Sequence, residues 1–91
     1  MKVLYSPQVN PTKKIEYKFN GETIIATFER VSDTFDFSSI PEGEIIDIET
    51  TLSVNPITFA KRENGILYVE LLNFITAQAS QEEKFPKWQV K

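Results

Sequence analysis

The sequence contains no cysteine and no histidine, and only three of its 91 residues are glycine. The lack of cysteine excludes disulfides, thiolate metal ligands and thiol nucleophiles, while the lack of histidine removes the commonest general base near neutral pH. Nucleophilic sites of the Ser-His-Asp and Cys-His types are therefore excluded within one chain. The three glycines form neither a phosphate-binding loop nor a dinucleotide-binding fingerprint. The catalytic chemistry that remains is that of carboxylates.

Carboxylates could pair as acid and base, or hold a hard cation, at Asp33 with Asp36 or at Asp47 with Glu49. Asp33, however, suits a turn, and Asp36 occupies a position that strand alternation points outward. The acidic residues also lack the dense spacing of a calcium-binding loop. We therefore predict that the protein is not an enzyme and has no catalytic residue, no metal site and no cofactor.

Basic residues are not concentrated anywhere in the chain. The ten Lys and Arg are scattered along a sequence of net charge −3, so we predict that the protein does not bind nucleic acid. The longest apolar stretch, residues 66–75, is half the length that a membrane-spanning helix requires. Polar residues and Pro7 follow the first three residues too soon for the apolar region of a signal peptide. The sequence thus predicts a soluble protein that makes no membrane contact.

Enough hydrophobic material is present for one small core. Hydrophobic residues make up 41% of the chain, and seven Phe, three Tyr and one Trp supply bulky side chains. A chain of 91 residues leaves no room for a second core, so residues 1–91 are predicted to form a single domain. Because so short a chain buries little surface and has no disulfide, a homo-oligomer or another partner is expected to add stability.

An antiparallel meander is predicted in the first half of the chain. Residues 15–19 alternate apolar and charged side chains, which is the period of a strand with one buried face. Asn20-Gly21 follows directly and favours a tight turn into a second strand. A four-residue turn at residues 30–33 is then expected to lead into a third strand at residues 34–37.

A second tight hairpin is predicted around Asn64-Gly65. It joins strands at residues 57–63 and 66–72, and a two-residue turn would set Lys61 opposite Tyr68. The returning strand is apolar on both faces, as a strand covered on both sides would be. This hairpin is therefore the candidate for the centre of the core.

The remaining segments have weaker patterns. Residues 1–5 are predicted as a short strand, and residues 6–11, with two prolines, as an irregular connection. Residues 44–52 fit either a strand or a helix, and their β-branched residues favour the strand.

The C-terminal region predicts one short helix. Ser80 can cap a helical turn at residues 81–84, with Glu83 completing a capping box. Residues 87–90 beyond it suit either a docking strand or a frayed tail. The predicted fold class is therefore mainly β, with β-hairpins and an antiparallel meander in a small sandwich or barrel and at most one short C-terminal helix. An α+β fold is the alternative.

Three aromatic residues are the candidate partner-binding residues: Trp88, Phe85 and Tyr68. Large aromatic side chains near a chain end can fill a pocket of a partner, which favours Trp88 and Phe85. Tyr68, predicted opposite Lys61, could mark a contact surface on the sheet. The structural alternatives are that Trp88 packs on the protein's own core and that the Lys61 stem covers the Tyr68 ring.

Several short stretches, most of them in the second half of the chain, carry a family resemblance: Tyr5-Ser6-Pro7, Ile48-Glu49-Thr50-Thr51-Leu52, Asn55-Pro56-Ile57, Ala60-Lys61-Arg62, residues 65–75 and Glu82-Glu83-Lys84-Phe85-Pro86. They resemble small uncharacterised proteins of phages and prophages of Gram-positive bacteria. The resemblance implies a gene near tail and lysis genes, and with it a role in the virion or its assembly. It supplies no catalytic residue.

These observations together favour a non-enzymatic, phage-derived structural or assembly protein of a tail or baseplate region. Such a protein would act through protein-protein contacts, with virion components among its partners, and would reside in the bacterial cytoplasm or in the virion. The alternative is a small cytoplasmic regulator that binds one host protein, since an acidic and compact chain suits that role as well.

Overall fold

The computed structural model describes residues 1–45 and 48–91, and this part of the chain is mainly β, as predicted. Its strands form two sheets, and one single-turn helix within these residues lies near the C-terminus. The larger sheet has the strand order β5-β6-β7-β1-β8 and the smaller sheet the order β2-β3-β4. The elements are β1 (Lys2–Val9), β2 (Ile15–Asn20), β3 (Thr23–Phe28), β4 (Val31–Asp36), β5 (Gly43–Ile45), β6 (Ile57–Glu63), β7 (Ile66–Ile75), α1 (Gln81–Lys84) and β8 (Gln89–Val90).

The smaller sheet is the predicted antiparallel meander, but both of its turns differ from the prediction. Asn20 pairs with Thr23, so the first turn consists of Gly21 and Glu22 and not of Asn20 and Gly21. The second turn differs as well. Phe28 pairs with Val31, so the turn consists of Glu29 and Arg30 alone, at φ angles of 51° and 66°. The expected four-residue turn at residues 30–33 is therefore wrong. A two-residue turn with positive φ matches the twist of the flanking strands, and here that match outweighs the backbone strain of two non-glycine residues.

The larger sheet is built on the second predicted hairpin. Lys61 pairs with Tyr68 as expected, and the buried side chains Leu67, Val69 and Leu71 place β7 at the centre of the core. β7 pairs with β6 on one side and in parallel with β1 on the other. The parallel pairing joins two strands that are far apart in the sequence, so no local pattern predicts it.

The first strand is longer than predicted, because β1 continues through residues 6–9 where an irregular connection was expected. Asn10 N donates to Ile75 O at 2.8 Å, and in a parallel ladder every second residue bonds to the same neighbour. The even-numbered residues of β1 therefore face β7, and the nitrogen of Pro7 points away from it. A proline placed this way removes no bond of the sheet.

The predicted strand at residues 44–52 is largely wrong. β5 ends at Ile45, residues 46 and 47 lie outside the described residues, and residues 48–52 have no regular structure. A carboxylate explains their path, because Asp33 of β4 accepts hydrogen bonds from Thr50 Oγ1 and Thr51 N, both at 2.9 Å. These bonds draw the segment across the sandwich, and Leu52 is buried in the core.

The two sheets pack face to face around one core to which both contribute. Two polar side chains connect them. The Tyr17 hydroxyl of the smaller sheet donates to Leu72 O of the larger one, and Arg62 of the larger sheet binds Glu22 in the first turn of the smaller one. The core residues come from both sheets and from the segments that follow β4 and β5: Val3, Ile15, Ile24, Ala26, Phe28, Phe35, Phe37, Leu52, Ile57, Ala60, Leu67, Val69 and Leu71.

Arg62 is bonded through each of its guanidinium nitrogens. Both oxygens of Glu22 accept from it at 2.9 Å, and Ile40 O and Phe37 O accept at 2.7 and 2.9 Å. The hydrogen bonds between Arg62 and Glu22 lower the pKa of Glu22 and raise the pKa of Arg62. A planar, bidentate pair of this kind fixes geometry as well as charge. The bonds from Arg62 to Phe37 O and Ile40 O hold the residues after β4 against β6.

Candidate functional site

Tyr68 lies on the outer face of the larger sheet. Its neighbours Leu67 and Val69 point into the core, so strand alternation directs Tyr68 away from it. The register places Lys2 of β1 and Lys61 of β6 beside the ring, with their Nζ atoms 5.6 and 5.4 Å from its centroid. Two lysines therefore flank one aromatic ring at cation–π distance.

Trp88 contacts the edge of the same tyrosine. The ring centroids of Tyr68 and Trp88 are 5.5 Å apart and the planes are nearly perpendicular, at 89°. Trp88 reaches this position because β8 pairs antiparallel with Lys2 and Val3 of β1. The final segment is thus docked as a strand. Trp88 lies outside the core and keeps 43% of its surface exposed, so its ring is available to a partner.

Phe85 belongs to the same segment but not to the same cluster. It is the C-cap of α1, whose N-terminus has the predicted capping box between Ser80 and Glu83. Its side chain is 71% exposed, and within the described residues it makes no ring contact with Trp88 or Tyr68. A shallow depression of about 190 Å³ lies beside it, lined by Glu82, Phe85, Lys87 and Gln89.

The structure adds two apolar residues to this surface that the sequence did not single out. Phe59 has the outward orientation of Lys61, and extending the β1–β8 register by one residue sets Leu4 opposite Trp88. We name Leu4, Phe59, Tyr68 and Trp88 the aromatic face. Alternation along β6 could have revealed Phe59, whereas Leu4 depends on the parallel pairing of β1 with β7.

Of the acidic pairs considered from the sequence, Asp33 and Asp36 are held apart in function, each by hydrogen bonds to its own loop. Hydrogen bonds from Thr51 N and Thr50 lower the pKa of Asp33, and hydrogen bonds from Ser38 lower the pKa of Asp36. A general acid needs a raised pKa, so both carboxylates suit the loops they tie down better than proton transfer. Asp47 lies outside the described residues. Residues 1–45 and 48–91 contain no group of acidic side chains arranged to hold a metal ion.

No helix in the described part of the chain has the length and apolar character required to cross a membrane. Comparison with known proteins finds no match of any kind: no family model matches the sequence, no curated protein matches it, and no solved structure matches the fold. The surface chemistry of the aromatic face and of Phe85 is therefore what bears on function.

Proposed function

We propose that this protein is a non-enzymatic assembly component that binds other protein subunits through the aromatic face and Phe85. The observation that carries the proposal is the exposure of Trp88 and Phe85 beside a sheet face whose centre is Tyr68. Trp, Tyr and Phe are all enriched in the cores of protein interfaces, and Trp and Tyr are enriched where partners make their strongest contacts.

The magnitude of the apolar surface suits this role. A buried aromatic side chain removes about 150–250 Å² from water, so the exposed parts of Phe85 and Trp88 amount to roughly 250 Å² together. At about 25 cal/mol per Å² that area contributes about 6 kcal/mol of gross stabilisation on binding. Association itself costs about 4–15 kcal/mol, so these two anchors need the rest of the aromatic face to give stable binding.

The resemblance to small phage proteins supports a place for this surface in a tail or baseplate. A virion component must hold neighbouring subunits together without turnover, and a sheet face that carries aromatic side chains on a rigid core serves that purpose. The flanking Lys2 and Lys61 give the face a polar rim of the kind found around protein interfaces.

Site-specific photo-crosslinking tests the proposal. A photo-reactive phenylalanine analogue replaces Phe85 in the full chain, and the matched control carries the analogue at Thr34, an exposed position on the outer side of the smaller sheet. Both proteins are irradiated in cells that produce phage particles, and the products are identified by mass spectrometry. We expect one defined product at position 85, containing a tail or baseplate protein, and none at position 34.

The outcomes separate the candidate roles. A crosslink at position 85 to a single host protein with no virion component would favour the regulator considered from the sequence. Equal crosslinking at positions 85 and 34, or none at either, would show that Phe85 forms no specific contact and would overturn the proposal that it binds other subunits.

A further inference from the structure

Residues 80–91, which we name the strap, include α1 and β8 and lie beside β1. No residue of α1 is buried. Val90 is 80% exposed, and with Phe85 and Trp88 it gives the strap three large apolar side chains open to solvent. Exposed apolar side chains grouped in this way favour an interaction surface over an ordinary solvated segment.

The strap is held to β1 by few bonds. β8 pairs with Lys2 and Val3 alone, and Lys91 N donates to Met1 O at 2.9 Å. On its other side β1 pairs with β7 along its whole length. Segments with few buried contacts open at free energies well below that of global unfolding. The strap is therefore expected to detach while the two sheets stay folded.

Detachment of the strap would free the edge of β1 at Lys2 and Val3, beside a stretch of the same edge that pairs with no strand of the described residues. From Leu4 to Val9 the edge of β1 carries no charged residue, whereas Glu16 and Lys18 lie on the edge strand β2. Charged side chains and short strands are the usual means of blocking edge pairing. The opened edge of β1 would thus accept another strand by main-chain hydrogen bonds.

We infer that the strap exchanges between two copies of this protein, so that the strap of each copy pairs with β1 of the other. A second copy fits the edge because its β8 restores the Lys2–Val90 pairing and its Trp88 restores the contact with Tyr68. Residues 76–79 act as the hinge. Direct pairing of two β1 edges is disfavoured, because Pro7 has no amide to donate across them.

This inference rests on the proposed function and names a second copy of the chain as one of the subunits bound. In the exchanged dimer the aromatic face of each copy is completed by Trp88 of the other. All the pairing of the closed monomer is remade between copies, so the balance between the two forms is set by the hinge and by protein concentration.

Engineered cysteines test the exchange cleanly, because the chain has none of its own. Lys2→Cys with Val90→Cys joins two residues that face each other across β1 and β8, with the spacing of a non-hydrogen-bonded pair that suits a disulfide. The control is Thr27→Cys with Ser32→Cys, whose hydroxyl oxygens lie 2.7 Å apart within the smaller sheet. Each variant is incubated dilute and concentrated, then oxidised and run on a non-reducing gel.

We expect the strap variant to form covalent monomer when dilute and covalent dimer when concentrated, with a dimer fraction about tenfold above that of the control. Mixing the single variants Lys2→Cys and Val90→Cys should likewise give heterodimer in excess of both homodimers. Monomer at every concentration, or a dimer fraction equal to that of the control, would overturn the exchange. A monomeric strap variant together with a Phe85 crosslink to another protein would leave the proposed function standing.

Discussion

The Tyr17 hydroxyl links the two sheets, and its removal should have a measurable cost. In Tyr17→Phe the ring stays and continues to pack against Tyr5, whose ring centroid is 6.2 Å away. The hydrogen bond to Leu72 O, worth about 1 kcal/mol, is lost, and leaving that carbonyl without its donor raises the cost toward about 2 kcal/mol. A domain of this size loses about 4–8 °C of melting temperature for each kcal/mol, so we expect a decrease of roughly 4–16 °C.

Urea and thermal unfolding, followed by far-ultraviolet circular dichroism, measure this change. Tyr5→Phe is the matched control, since within the described residues the Tyr5 hydroxyl makes no hydrogen bond to the protein. Its free energy of unfolding should stay within about 0.5 kcal/mol of the parent value.

The alkaline limb of the stability profile gives a second measure of the same hydroxyl. Burial, together with the nearby Tyr5, raises the pKa of Tyr17 far above its ordinary value of 10.0. Because the folded-state pKa lies above the unfolded one, the stability that the neutral Tyr17 hydroxyl contributes is complete below pH 10 and is lost as the pH rises further. Tyr17→Phe should therefore lose less stability above pH 10 than the parent. Equal stability of Tyr17→Phe and Tyr5→Phe, with equal alkaline losses, would refute the link.

Four further substitutions, at Glu22, Gly65, Gln8 and Pro7, have defined outcomes. Glu22→Gln should lower the melting temperature near neutral pH and flatten its fall below pH 4.5, because Arg62 lowers the folded-state pKa and the stability is lost as Glu22 protonates. Gly65→Ala should lower the free energy of unfolding in urea by about 1 kcal/mol, because alanine is strained at a φ of +79°. No steric cost should be added, since a methyl group there meets no neighbour. Gln8→Pro should unfold the β1 edge, as hydrogen exchange would show, whereas Pro7→Ala should leave the melting temperature unchanged.

The parts of the fold that could be predicted are those determined by residues close together in the sequence. Asn64-Gly65 between two alternating strands determined the β6–β7 hairpin, and the Lys61–Tyr68 pairing follows from the two-residue turn. Ser80 and Glu83 determined the start of α1 in the same way. In each case the turn or cap chemistry and the apolar period agree over fewer than ten residues, and nothing distant has to be known.

The turn at Glu29 and Arg30 was missed locally, whereas two larger errors arose where a distant partner decides the structure. Pro7 looks like a strand breaker until β7 is known to lie on the side away from its nitrogen. Residues 48–52 have the composition of a strand, but Asp33, far along the chain, binds Thr50 and Thr51 and holds them in an irregular path. Loop chemistry of this kind outweighs β propensity, which reflects a fit to a half-buried sheet more than a backbone preference.

The residues of the candidate site could be predicted from the sequence, but their arrangement depends on a distant strand pairing. The position of Trp88 and Phe85 near the C-terminal end, and the predicted pairing of Tyr68 with Lys61, drew attention to these three residues. Their arrangement depends on β8 returning to Lys2 and Val3, which brings Trp88 onto Tyr68 and leaves Phe85 apart. A two-residue strand is too short to specify its partner by pattern, so the sequence does not predict the pairing of β8. The same short pairing provides few bonds, which is why we expect the strap to exchange. If the Lys2–Val90 disulfide forms between copies, each aromatic face of the exchanged dimer is built from two chains, with Tyr68 from one copy and Trp88 from the other.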